Sequence, residues 1–156
     1  MPTLVLLRHA KSAYPENVSD HDRPLSERGL REAPVAGEQL AERMPSFDRA
    51  LVSSGLRAQQ TWEAVSQSLS VGQQLDMPEL YLAGSDELLG VVRQLFDSTR
   101  SVLMVGHNEG IEELASMLSG VPVTMKTSTF AILRSDVGWR DWGPGTASLD
   151  EVVIAR

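Results

Sequence analysis

At 156 residues with no cysteine, the chain is long enough for one core, is expected to be one domain spanning residues 1–156, and excludes disulfides, thiolate catalysis and cysteine-based zinc sites. Its formal net charge of -7 and pI of about 4.9 disfavour long-range attraction to nucleic acid or anionic lipid. Apolar residues at 42% and charged residues at 22% are ordinary for a globular chain, and no apolar run approaches a membrane span. Met1-Pro2-Thr3 leads into the first strand without a signal-type charged segment, so a cytoplasmic location is expected.

Leu4 to Leu7 is a short apolar run that ends abruptly in Arg8-His9, the pattern of a buried strand delivering two side chains to its own end. Ser12 to Arg23 has turn residues and no hydrophobic period, and reads as a loop over that end. Ser26-Glu27 signals a helix start, and Ala33, Gly37, Leu40 and Met44 form one apolar stripe. Pro34 lacks a backbone N–H, so the regular helix is expected to begin near Ala33. Arg49 to Val52 is a second strand, running into Ser53-Ser54-Gly55 and a helix with Ala58, Trp62, Val65 and Leu69 inward and Arg57 in its first turn.

Gln73 to Leu82 is expected to be an extended or irregular link, followed by a helix capped at Ser85-Asp86-Glu87 with Leu88, Leu89, Val92, Leu95 and Phe96 inward. Val102 to Val105 is a third strand ending in Gly106-His107-Asn108, and Ile111, Leu114, Ala115 and Leu118 line one face of the helix after it. Ser128 to Leu133 and Ala147 to Ala155 read as strands that pair antiparallel at an edge. The alternation predicts a three-layer α/β/α sandwich with a mainly parallel sheet and an antiparallel edge.

Ligands of such sheets bind beyond the carboxyl ends of the strands, so these ends can bring Arg8, His9, Arg57 and His107 to one crevice. Guanidinium forks match phosphate oxygens, an imidazole serves as nucleophile or donor near neutrality, and a helix amino terminus at Arg57 favours an anion. Together these groups describe phosphoryl chemistry. Lys11, Arg23, Arg28 and Arg31 supply a local basic patch in or near the first loop, from which Lys11 and Arg23 are expected to touch substrate. No zinc-helix spacing, P-loop or dinucleotide glycine fingerprint is present, so no metal or other cofactor is expected.

The stretches LLRHAKS (6–12), RPLSERG (23–29), SSGLRAQQT (53–61), PELY (78–81) and VGHNEG (105–110) resemble the histidine phosphatase superfamily, most of all its short SixA-type phosphohistidine phosphatases. The resemblance implies a phosphoglycerate mutase-like fold and a metal-independent phosphatase. It also implies that His9 attacks phosphorus to form a phosphohistidine intermediate, while Arg8, Arg57 and His107 hold the non-bridging oxygens. It points to Glu79 as general acid, with Asp20 and Asp22 as alternatives. The expected substrate is phosphohistidine on a carrier protein; a small phosphate ester is the alternative, and a non-catalytic phosphoprotein-binding module the third reading. Neither nucleic acid nor membrane is an expected partner.

Overall fold

The computed structural model describes residues 1–156. In chain order the elements are β1 (Thr3–Arg8), α1 (Glu27–Arg43), β2 (Ser46–Ser53), α2 (Leu56–Ser66), β3 (Ser70–Met77), α3 (Ser85–Arg93), β4 (Ser101–Gly106), α4 (Gly110–Ser119), β5 (Thr129–Arg134) and β6 (Ser148–Ile154). Short 3-10 turns lie at Asp20–Asp22, Pro78–Leu80 and Trp139–Asp141. The strands form one sheet in the order β3-β2-β4-β1-β5-β6, in which the first four are mutually parallel and β5 and β6 run antiparallel.

β1 and β4 are buried on both faces, which is why each reads as an unbroken apolar run. Strand alternation then divides their side chains between two cores. Leu4, Leu6, Val102 and Met104 pack with Leu88 and Val92 of α3 and Leu114 and Leu118 of α4. Val5, Leu7, Leu103 and Val105 pack on the opposite face with Leu40 of α1 and Ala58 and Val65 of α2. The result is the expected three layers. Because the chain leaves β1 toward α1 and β4 toward α4, on opposite faces, the ends of these adjacent strands diverge and leave a crevice. No helix is long and apolar enough to cross a membrane.

Three local expectations are corrected. The helix α1 begins at Glu27 rather than near Ala33, since Ser26 accepts a hydrogen bond from Gly29 N at 3.1 Å and caps it. Pro34 and Leu30, one turn apart, both face solvent, where water can serve the Leu30 carbonyl that Pro34 leaves without a donor. Gly29 is required at this start, as a Cβ there would lie 2.1 Å from the Lys11 carbonyl oxygen. Second, residues 70–77 are a regular strand, half-exposed at the sheet edge, so its polar Gln73, Gln74 and Asp76 gave no apolar pattern. Third, Phe96 is 70% exposed because α3 ends at Arg93, before the turn that would have carried it inward.

Candidate active site

The register of β1 against β4 pairs Arg8 with Gly106, so His9 and His107 follow at the same level on neighbouring strand ends. Their rings lie 5.2 Å apart between centroids. Nδ1 of His9 lies 2.7 Å from the Ala10 carbonyl oxygen, to which it donates, leaving the lone pair on Nε2. His9 is only 6% exposed, and burial first, then the positive surroundings, push its pKa down to about 3 against the opposing Ala10 carbonyl. It is therefore a neutral imidazole near neutral pH, with its lone pair on Nε2.

His107 is likewise buried, and desolvation followed by Arg57 lowers its pKa to about 4. Its Nε2 lies 2.7 Å from Ser53 Oγ, which already accepts from Gly55 N at 3.2 Å and so has its proton free for the ring. That arrangement leaves the proton on Nδ1, which is buried without a partner. Gly55 permits the close packing, since a Cβ there would stand 3.2 Å from both the His107 and Tyr81 rings. Arg8 donates Nη1 to the Met125 carbonyl at 3.0 Å, and its buried Nε has no partner. Glu112 accepts from Met125 N at 2.8 Å and Asn108 Nδ2 donates to Met125 O at 2.9 Å, which fixes the carbonyl that holds Arg8.

Arg57 stands in the first turn of α2, itself 4% exposed, with Nε 3.3 Å from His9 Nε2. Its other nitrogens serve Asp20: Nη1 donates to the backbone oxygen at 2.7 Å and Nη2 to Oδ2 at 3.1 Å. Tyr81 donates its hydroxyl to the same Oδ2, and Arg23 donates to Oδ1 at 2.9 Å. These donors, Tyr81 and Arg23 ahead of Arg57, hold the Asp20 carboxyl far below the usual carboxylate range.

The residues expected from the sequence divide at this point. Arg8, His9, Arg57, His107, Lys11 and Arg23 all line one cleft of about 160 Å³. Lys11 is exposed there with no ion-pair or hydrogen-bond partner for its ammonium group. Arg23 is committed to the loop, for it also donates to Ala13 O at 3.0 Å and Ser12 Oγ at 2.5 Å and stacks 3.7 Å from the Tyr14 ring centroid. Glu79 departs from the expectation: it is exposed and lines a separate cleft of about 430 Å³ between the β2–β3 end of the sheet and α3, with Arg49, Leu75, Met77 and Phe96. Asp22 also lies outside, paired only with His21 at 3.4 Å.

The sequence reading did not assign Ser53, Thr61, Glu112 or the Met125 carbonyl. Thr61, which accepts from Ala10 N at 3.0 Å and donates to Arg57 O at 2.7 Å, ties the His9 strand end to α2. No group of three or more His, Asp or Glu side chains has the placement to hold a metal ion.

The sequence profile described as histidine phosphatase superfamily, branch 1, matches residues 4–81, from the strand of Arg8 and His9 through Tyr81. An uncharacterized protein of Mycobacterium tuberculosis is 35% identical, over 92% of this chain and 96% of its own. A SixA-type candidate phosphohistidine phosphatase from Nakamurella multipartitia superposes with a TM-score of 0.84 at 32% identity, covering 99% of this chain and 96% of its own. The protein histidine phosphatase SixA solved with tungstate superposes at 0.79 with 26% identity, covering 97% and 96%. The mixed sheet with its flanking helices is thus the phosphoglycerate mutase-like histidine phosphatase fold.

Proposed function

Since the chain belongs to the histidine phosphatase superfamily, we propose that it hydrolyses phosphohistidine on a protein, with His9 as the nucleophile. Nε2 of His9 attacks phosphorus, its bond to phosphorus forms as the bond to the leaving nitrogen breaks, and the substrate imidazole departs. Water then attacks the phosphohistidine intermediate, the Nε2–phosphorus bond breaks back toward His9, and inorganic phosphate leaves. Splitting the transfer in two replaces one difficult step with two easier ones. Arg8, Arg57 and His107 line the cleft with N–H groups that suit the non-bridging oxygens, on which charge spreads in the transition state, and Arg57 Nε stands beside the attacking atom.

One observation carries the choice of substrate: the cleft offers no protonatable carboxyl. Asp20 is held ionised, Glu79 lines another cleft, and Asp22 is on the outside. An alkoxide leaving group needs a proton from a general acid, a contribution typically worth about 10² to 10⁴ in rate. An imidazole bearing a proton on its second nitrogen leaves as a neutral ring and needs none. The connection from β3 to α3, residues 78–84, is too short to fold a cap over the cleft, which leaves room for a protein surface.

The test is turnover of a phosphohistidine-bearing carrier domain beside a panel of phosphate esters. The expected result is kcat/KM near the usual enzymatic range, about 10⁴ M⁻¹s⁻¹ or above, for the carrier alone. A metabolite ester turned over in that range while the carrier is ignored overturns the proposal in favour of a small-molecule phosphomonoesterase.

A further inference from the structure

Asp20 is the only carboxylate hydrogen-bonded to Arg57, and it engages the Nη1 and Nη2 end of a guanidinium that a phosphoryl group would share. Nε and Nη2 form one edge of the Arg57 guanidinium; Nε faces His9 at 3.3 Å, whereas Nη2 is 3.1 Å from Asp20 Oδ2. A phosphoryl oxygen on that edge, beside His9, can use the second N–H of Nη2, so it shares the guanidinium with Asp20 and does not meet its full charge. Both groups are anions, so a carboxylate left in place also repels the incoming phosphoryl group.

The segment that carries this carboxylate is accessible from outside. Residues 14–20 are all exposed, with Tyr14 at 77% and Val18 at 38%, and the Asp20–Asp22 turn is held down by side-chain contacts on its inner side. These are the donors from Arg57, Tyr81 and Arg23, together with His21 Nε2 at 2.9 Å from Ser54 Oγ and the His21 ring 4.7 Å edge-on from Tyr81. A small ester held in a cleft of about 160 Å³ has no reach to the outer face of this segment. A protein that presents a phosphorylated side chain to the cleft covers that face.

We infer that Asp20 is a specificity-determining residue, an internal competitor for Arg57 that weakens the binding of free phosphate and small esters and yields to a protein substrate engaging the Ser12 to Arg23 loop. The inference rests on the proposed action on phosphoproteins. Binding energy from contacts remote from phosphorus does the work of displacing the carboxylate, which a small ester cannot supply. The same competition hastens departure of inorganic phosphate after the second step.

The experiment measures inorganic orthophosphate binding by calorimetry to the wild type and to Asp20→Asn, which keeps the shape and removes the charge. The expected result is phosphate affinity about 10-fold tighter in the variant, with the kcat/KM ratio of carrier domain to p-nitrophenyl phosphate falling by a similar factor. Tyr81→Phe, which retains the carboxylate and loosens its hold, is expected to shift phosphate affinity in the same direction by a smaller factor and decides the matter if Asp20→Asn does not fold. Unchanged or weaker phosphate binding in a folded variant overturns the inference and makes Asp20 a positioning residue for Arg57. Because phosphate affinity is read without turnover, a carrier domain that is not hydrolysed counts against the proposed substrate and leaves the competition for Arg57 to be judged separately.

Discussion

The two walls of the cleft are built differently. Arg8, His9 and His107 extend from β1 and β4, the paired central strands whose apolar residues are fully buried, and their polar atoms are fixed by two backbone carbonyls and one buried hydroxyl. Arg57 is joined on the opposite side by Asp20 and Arg23, held by ion pairs in which the Arg57 and Arg23 side chains are 5% and 13% exposed and that of Asp20 is 47% exposed. A pair with one partner open to water is weakened by solvent and salt, whereas a packed strand end cannot move without disturbing the core on both faces. The core on both faces therefore holds the strand-end wall more firmly than the loop holds the other.

Breaking the rigid wall should give the largest effects. His9→Ala removes the covalent route altogether, so kcat should fall by about 10⁴-fold or more with little change in thermal stability, leaving only binding and electrostatic assistance. Rapid-quench labelling should find the phosphoryl group on His9 in the wild type and nowhere in the variant; label on another residue would sink the mechanism. His107→Ala should cost about 10² to 10³ in kcat, the usual loss for one oxyanion donor, with a small change in KM.

The rigid wall also predicts a pH signature. Both histidines have folded pKa values, about 3 and about 4, below the unfolded value of roughly 6.5. A group depressed in this way contributes stability that is present above the unfolded pKa and is lost as pH falls through the folded one. Acid titration from about pH 6.5 to 3 should therefore destabilise the protein with proton uptake by both rings, and His107→Gln should shallow that dependence by about one proton. Turnover limited by the phosphorylation step should not lose its nucleophile, His9, to protonation until near pH 3. A sharp acid limb at pH 6 to 7 that disappears in His107→Gln would show that His107 titrates in the usual histidine range.

The rigid wall was the legible one, for a physical reason. Parallel strands covered on both faces write their burial into the sequence as apolar runs, and a run that stops at Arg-His or Gly-His marks both the strand end and what it carries. The wall of Arg57 and Asp20 has no such pattern. The sequence supplied the charges of Asp20, Asp22 and Arg23 but not their pairing, and only the folded loop reveals that Arg23 serves Ser12, Ala13 and Asp20. PELY pointed to Glu79 as an acid, yet Leu80 at 1% exposure anchors the Pro78–Leu80 turn, which has the Tyr81 ring 5.4 Å from that of His107 while Glu79 lines the other cleft. An edge strand such as β3 is half-exposed and stays hidden for the same reason as the loop: nothing buries enough of it to force a pattern.

A smaller effect is expected at the mouth of the cleft. Lys11 is exposed on the cleft without a partner, so Lys11→Glu should disturb no internal contact and leave the melting temperature nearly unchanged. It reverses a charge at the mouth, where rim charges act mainly on encounter. The kcat/KM for an acidic carrier domain should drop by about tenfold, the loss shrinking as salt is raised, with kcat at saturation unchanged. Loss in kcat alone would move Lys11 into the chemical step and blur the distinction between the walls.

The smallest effect should come from Glu79. It is exposed, has no ion-pair partner, and faces a groove floored by Leu51, Leu75 and Met77, on the far side of the Pro78–Leu80 turn from the His107 ring. Glu79→Gln should therefore change kcat/KM by less than about twofold, and equally for alkyl phosphates, which need a proton on the leaving oxygen, and aryl phosphates, which need it far less. The comparison of leaving groups is what gives the variant its value. If alkyl phosphates alone slow by about 10²-fold, Glu79 donates a proton in the transition state and the Pro78–Leu80 turn must move during turnover. The wall that carries Tyr81 would then belong to the chemistry, and a leaving group that brings its own proton would no longer be the reason to favour phosphohistidine.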